Sequence, residues 1–180
     1  TMADSPFDQF RSGKIDTMTQ QERAGMWIFK SKAACWRCHT EPNFADELFH
    51  NTGVGALNGI PEDGRKGVTG SREDLGKFKT PTLRGLQFTA PYMHNGVFAS
   101  LDTVIRFYDK HLANSDNTIN PETGVAWASP EIDRNISSVI LQSGPKLSDT
   151  DIQGLVCFLY SLTDEQFEDQ LPADAAECGL

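Results

Sequence analysis

A chain of 180 residues, 38% of them hydrophobic, is long enough to bury one core of its own and short for two, so a single globular domain is expected. Its 25 acidic and 16 basic side chains leave a net charge of -9, which argues against nucleic acid and anionic membranes as partners and favours a basic protein; the same surplus also serves solubility alone. No run approaches the roughly 20 apolar residues of a membrane span.

The first residue is Thr1 and not methionine, which suggests a mature, processed or excised segment. Residues 1–18 mix Asp4, Pro6, Asp8, Gly13 and Asp16 with Phe7 and Phe10, and read as an irregular lead-in that lays two aromatics on a neighbour. Thr19-Gln20-Gln21-Glu22 is a capping box, and Ala24, Trp27 and Ile28 follow at the i, i+3, i+4 spacing of a buried stripe, predicting a helix over residues 20–30. Trp27 and Phe29 read as core aromatics, with electron transfer as the rarer alternative.

That helix leads into Cys35-Trp36-Arg37-Cys38-His39, the attachment signature of a c-type haem. Two thiols at this spacing add across the two vinyl groups of one porphyrin, and His39 then ligates the iron from the proximal side. A redox dithiol would have no need of His39, and a zinc site would need two more ligands at knuckle spacing, which Cys157 and Cys178 do not supply. Covalent haem is attached outside the bacterial cytoplasm, so a periplasmic location is expected.

Residues 40–79 hold many glycines, Pro42 and Pro61 and no sustained period, so they read as a long loop wrapped over the haem edge. Within it His50 is either a satisfied structural histidine or a contact to iron or a propionate. The turn from Ala90 to Gly96 carries Met93 and His94 as candidate haem contacts. Ser100 caps a further helix with Leu101, Val104, Ile105 and Tyr108 on one face, which turns Tyr108 inward. Residues 110–147 are polar and loop-like. Ser148 to Asp151 then open a last helix that buries Ile152, Leu155, Val156, Leu159 and Leu162 and leaves Cys157 off the stripe, more exposed than a core thiol. In an oxidising compartment a Cys157–Cys178 disulfide is expected, the rival being two unpaired thiols. The fold class is mainly α, a cytochrome c-like helical domain with long loops around one covalent haem.

Ser5-Pro6-Phe7-Asp8, the haem motif, Pro42-Asn43-Phe44, Phe49-His50-Asn51-Thr52-Gly53, Phe78-Lys79-Thr80-Pro81-Thr82-Leu83-Arg84, the Ala90 to Gly96 turn and the last helix together resemble the C-terminal haem domain of the bacterial dihaem cytochrome c peroxidase and MauG family, over most of the chain. The resemblance implies an electron-relay haem, a second, peroxide-reacting haem on an upstream segment or another chain, and calcium between the two. It implies a sixth iron ligand fourteen residues past His94, methionine in one branch and tyrosine in the MauG branch; here that position is Tyr108, with Met93 as the second candidate. It also implies that the backbone carbonyls of Thr89 and Pro91 contribute to calcium. Arg84 suits a haem propionate through bidentate pairing. The alternative reading is a single-haem cytochrome c electron carrier, because the chain has one C-x-x-C-H only.

Overall fold

The computed structural model describes residues 4–179, which are mainly helical around one two-stranded ribbon. The lead-in is more ordered than its composition predicts. Pro6–Arg11 forms helix α1, started by a second capping box in which Ser5 Oγ accepts from the Asp8 amide at 3.2 Å and the Asp8 carboxylate accepts from the Ser5 amide at 3.4 Å. Pro6 stands in the first turn, where a missing N–H leaves nothing unpaired. Phe7, buried, meets Phe44 and Phe158 edge-on with ring centroids 5.2 and 5.8 Å away.

Helix α2 spans Gln20–Lys30 from the expected Thr19 and Glu22 capping box. The loop over residues 40–79 is closed at its base by strand β1 (Phe49–His50) running antiparallel to the second strand, and it carries one turn of helix, α3 (Lys66–Thr69), at its far side. Strand β2 (Phe78–Lys79) places Phe49 opposite Lys79 and His50 opposite Phe78. Helix α4 (Leu101–Asp109) starts at Ser100, whose hydroxyl accepts from the Thr103 amide; the Glu122 carboxylate takes the Ala99 and Ser100 amides at 2.9 and 3.0 Å. The following polar stretch is mostly irregular, as expected, with one short helix α5 (Ser138–Leu141). Helix α6 (Asp149–Tyr160) begins at a third capping box, Ser148 and Asp151.

Two helices cross at a glycine pair. A Cβ on Gly25 of α2 would fall 1.8 Å from the carbonyl oxygen of Gly154 in α6, so only a bare backbone allows this approach. The crossing decides which face of α2 is buried. It is Glu22, Gly25 and Phe29, whereas Ala24 is exposed and Trp27 is 71% exposed, correcting the stripe read from hydrophobicity. Glycine carries no apolar signal, so a hydrophobic period passes over the residue that sets the contact.

Helix α6 is covered by α2, by α4 and by the segment Ala173–Cys178. Cys157 is therefore fully buried and not on an open face; it is joined to Cys178 in the expected disulfide. The main core gathers Phe7, Phe29, Phe44, Leu155, Phe158 and Leu162. A second cluster, Val54, Phe98 and Phe107, takes Met93, Val104, Tyr108 and Trp127 as partly buried neighbours.

Candidate functional site

Ala34, left-handed at φ 53°, turns the chain out of the region after α2 into one turn of 3₁₀ helix, Cys35–Arg37. The amides of Cys38 and His39 both donate to the Cys35 carbonyl, at 3.2 and 3.0 Å, so both thiols and the imidazole are held on one tight turn. Neither cysteine is in a disulfide. Burial pushes the Cys35 thiol up to about 12, and burial with the Asp46 carboxylate pushes Cys38 up to about 11, so both are neutral S–H groups at ordinary pH. His39 Nδ1 lies 2.9 Å from the Phe44 carbonyl, which can only accept; the proton is therefore on Nδ1 and the lone pair on Nε2. Burial lowers the His39 pKa against the Phe44 and Pro81 carbonyls and the Asp46 carboxylate, and so favours that neutral ring. A neutral imidazole oriented through its other nitrogen is the form that binds a metal.

The remaining candidate ligands come from α4 and the second cluster. Tyr108 is half-buried, and its phenol is pushed up to about 12 by burial and by the nearness of Cys38 and Cys35, with the Thr52 hydroxyl acting the other way. The phenol and the two thiols thus lie within electrostatic reach of one another. Met93, at φ 70°, packs in the same cluster as Tyr108, so both candidate sixth ligands stand on one wall. Two thiols and a neutral imidazole on one turn are the donor set that a covalently held haem takes, with the Tyr108 phenol and the Met93 thioether together in the second cluster.

Other predicted residues are engaged elsewhere. His94 Nε2 lies 2.6 Å from Glu131 Oε1, and its ring stacks on Phe78 with centroids 3.6 Å apart. Arg84 makes a bidentate pair with Asp8 at 2.7 and 2.8 Å, and its Nε donates to the Pro42 carbonyl at 2.9 Å, so the bidentate pairing expected with a propionate is made with Asp8 instead. His50 pairs through Nε2 with Asp46 Oδ2 at 2.8 Å, and the Cys38 sulfur is a close neighbour of that pair. Burial acts to raise the Asp46 carboxyl, but the Thr80 hydroxyl, His50 and the Leu48 amide together hold it below the usual carboxylate range. Thr89 and Pro91 are exposed, at the two ends of a turn whose Ala90–Pro91 bond is cis.

Asp46, Thr52, Asp8 and Glu131 were not visible as site residues in the sequence. Asp46 and His50 do sit four apart, a spacing that marks a local pair in a helix but not in a loop. Glu131 meets His94 across 37 residues, with no local signal at all.

MauG of Paracoccus denitrificans (strain Pd 1222) is 35% identical to the chain over 195 residues, which cover 96% of this chain and 50% of that protein. The chain belongs to the MauG and dihaem cytochrome c peroxidase family. A second member, a cytochrome c peroxidase of Pseudomonas sp. (strain SCT), is 34% identical over 133 residues, covering 58% of this chain and 35% of that one. Among solved structures, a MauG-like protein associated with microbial copper homeostasis superposes with a TM-score of 0.72 at 29% identity, over 91% of this chain and 49% of that one. The family's helical, cytochrome c-like architecture is the fold seen here. No protein-family model matches the chain. The chain spans about half the length of the MauG it matches.

Proposed function

We propose that this chain is the electron-relay haem c domain of a peroxide-dependent dihaem oxidoreductase, MauG-like or a cytochrome c peroxidase. It forms one cytochrome c-like domain, the C-terminal half of a protein whose peroxide-reacting haem lies on an upstream segment or another chain. Cys35 and Cys38 hold the haem through thioethers and His39 ligates the iron; when bound, the haem supplies one-electron redox chemistry. Tyr108 is the sixth ligand. An anionic oxygen in that position favours ferric iron, whereas the thioether of Met93 would favour ferrous. The carbonyls of Thr89 and Pro91 offer two of the oxygens that calcium takes, the rest coming from outside this chain. The charge of -9 suits a basic redox partner. A periplasmic location accords with haem attachment outside the cytoplasm and with the Cys157–Cys178 disulfide.

The observation that carries this reading is the Cys35–His39 turn, which holds two free thiols and a neutral imidazole together in a chain of this family. Absorption and electron paramagnetic resonance spectra of the haem-loaded chain test it. Tyr108→Phe should open the sixth position and shift the Soret band, while Met93→Leu should leave the spectrum nearly unchanged because leucine packs in a similar volume. A methionine-to-iron charge-transfer band that disappears in Met93→Leu, with Tyr108→Phe silent, would sink the MauG-like assignment. Haem that stayed covalently bound in the Cys35→Ala, Cys38→Ala double variant would sink the cofactor assignment.

A further inference from the structure

Three of the four histidines have an acceptor of their own: His39 the Phe44 carbonyl, His50 the Asp46 carboxylate and His94 the Glu131 carboxylate. His111 is the exception, its Nε2 buried without a hydrogen-bond partner among the described residues. Lys110, just before it, likewise meets no carboxylate among the described residues. Its ammonium lies 4.0 Å from the centroid of the Phe107 ring and 5.6 Å from that of Trp127. The His111 ring stands at 81° to the same Phe107 ring, 5.4 Å away, so two nitrogen donors gather at one buried aromatic. Asp109, the nearest carboxylate in sequence, is buried and spent on the Leu147 amide at 2.8 Å and the Ser115 hydroxyl at 3.0 Å.

This pair continues α4, because the amides of Lys110 and His111 donate to the Arg106 and Tyr108 carbonyls, each at 3.1 Å. His111 thus stands one turn beyond Tyr108 and reaches the loop that includes Gly53, its Cε1 3.9 Å from where a Cβ on that glycine would stand. A lysine at a helix C-terminus is accounted for by the helix dipole alone. A buried ring nitrogen with no partner is not, since such a group costs stability until something pairs with it.

We infer that Lys110 and His111 form a carboxylate-binding site whose occupant is a propionate of the haem held by Cys35 and Cys38. This rests on the haem reading of the Cys35–His39 turn. A carboxylate can only accept, so Nε2 of His111 supplies an N–H and Lys110 a full charge on a flexible stem. Arg84, whose fork would suit a propionate, is already paired with Asp8, and the carboxylates of a haem need other donors. Donation to a propionate draws negative charge from the haem edge and favours the ferrous state, a lever on potential that needs no change of axial ligand.

The haem-loaded chain as wild type, His111→Phe, His111→Gln and Lys110→Met is read by three measurements, with covalent haem per chain as the control for folding. These are the propionate bending modes in resonance Raman spectra, the midpoint potential, and redox-induced infrared difference spectra of protein matured with haem isotope-labelled at the propionate carboxyls. His111→Phe and Lys110→Met should each shift the bending mode and lower the potential, and His111→Gln, which keeps an N–H donor, should restore both readings. The infrared carboxylate band that moves in His111→Phe should carry the isotope shift. Should His111→Phe fail to load haem, Lys110→Met carries the same three readings from a partly exposed position. An unchanged mode and potential in either variant overturns the site, as does a loss that glutamine does not restore. A moving band without the isotope shift assigns the donors to a carboxylate other than the propionate, and a bis-histidine electron paramagnetic resonance signal that vanishes in His111→Phe makes His111 an iron ligand; each overturns the site while the haem stands. Wild type without covalent haem overturns the haem reading itself.

Discussion

Around α2 and α6 the chain buries Phe29, Leu155, Phe158 and Leu162 and lets two backbones touch at Gly25 and Gly154; around Tyr108 the loops are held by polar side chains reaching across the fold. The second region depends on the Asn51 amide, the Glu122 carboxylate at the start of α4, and the His94–Glu131 pair. Apolar packing is non-directional and its strength follows area, so the α2–α6 half needs shape above all. A wall built from hydrogen bonds is directional, and each bond both positions a group and can be lost singly. The half that carries the Cys35–His39 turn is thus set by close packing, and the half that carries Tyr108 by a few aimed contacts.

Substitutions at the two ends of this contrast sharpen it. The largest effect is expected from Gly25→Ala, because the new Cβ meets backbone that cannot give way: a loss of about 3 kcal/mol or more in urea unfolding of the haem-loaded chain. Gly154→Ala serves as its control. Its Cβ would have ordinary contacts at 3.4 Å and beyond, so stability should stay within ~1 kcal/mol of wild type. Equal losses in both would show the crossing to be looser than described.

Arg84→Met comes next, since it strands a carboxylate that is only one-fifth exposed and breaks the tie between α1 and the Pro42 carbonyl; about 2 kcal/mol is expected, below the range for fully buried pairs. Burial acts to raise the Asp8 pKa, but the Arg84 guanidinium and the Ser5 hydroxyl outweigh it and hold the carboxyl below its ordinary value. The folded value being the lower one, this contribution is complete above ~3.9 and is lost as pH falls through the folded value. Wild type and Arg84→Met should therefore differ at neutral pH and converge in acid. A gap that widened on acidification would refute the pairing.

Asn51→Ala probes the polar wall. It leaves the Ile132 and Arg134 carbonyls and the Gly53 amide short of a partner, for a loss on the order of 1–2 kcal/mol, and it should broaden or shift the haem spectrum, which Gly154→Ala should not. The smallest effect belongs to Trp27→Ala. With 71% of the side chain exposed, thermal stability should change by no more than ~0.5 kcal/mol. A large loss would restore Trp27 to the buried face that its spacing first suggested.

How legible each feature was follows from the range of the forces behind it. The haem turn, the capping boxes at Thr19 and Ser148 and the Ser100 cap were all plain in the sequence, because each is closed within five residues by the chain's own geometry. The inward turn of Tyr108 was legible for the same reason, as a helix carries its own periodicity. The disulfide was legible from the oxidising compartment that a c-type haem implies, although the exposure read for Cys157 was not its ground in the fold. Tertiary structure alone decided that Trp27 faces solvent, that Cys157 is buried, that Arg84 is spent on Asp8, and that His94 meets Glu131. Those outcomes depend on which surfaces meet, and a sequence period records how apolar a residue is but not what comes to lie against it.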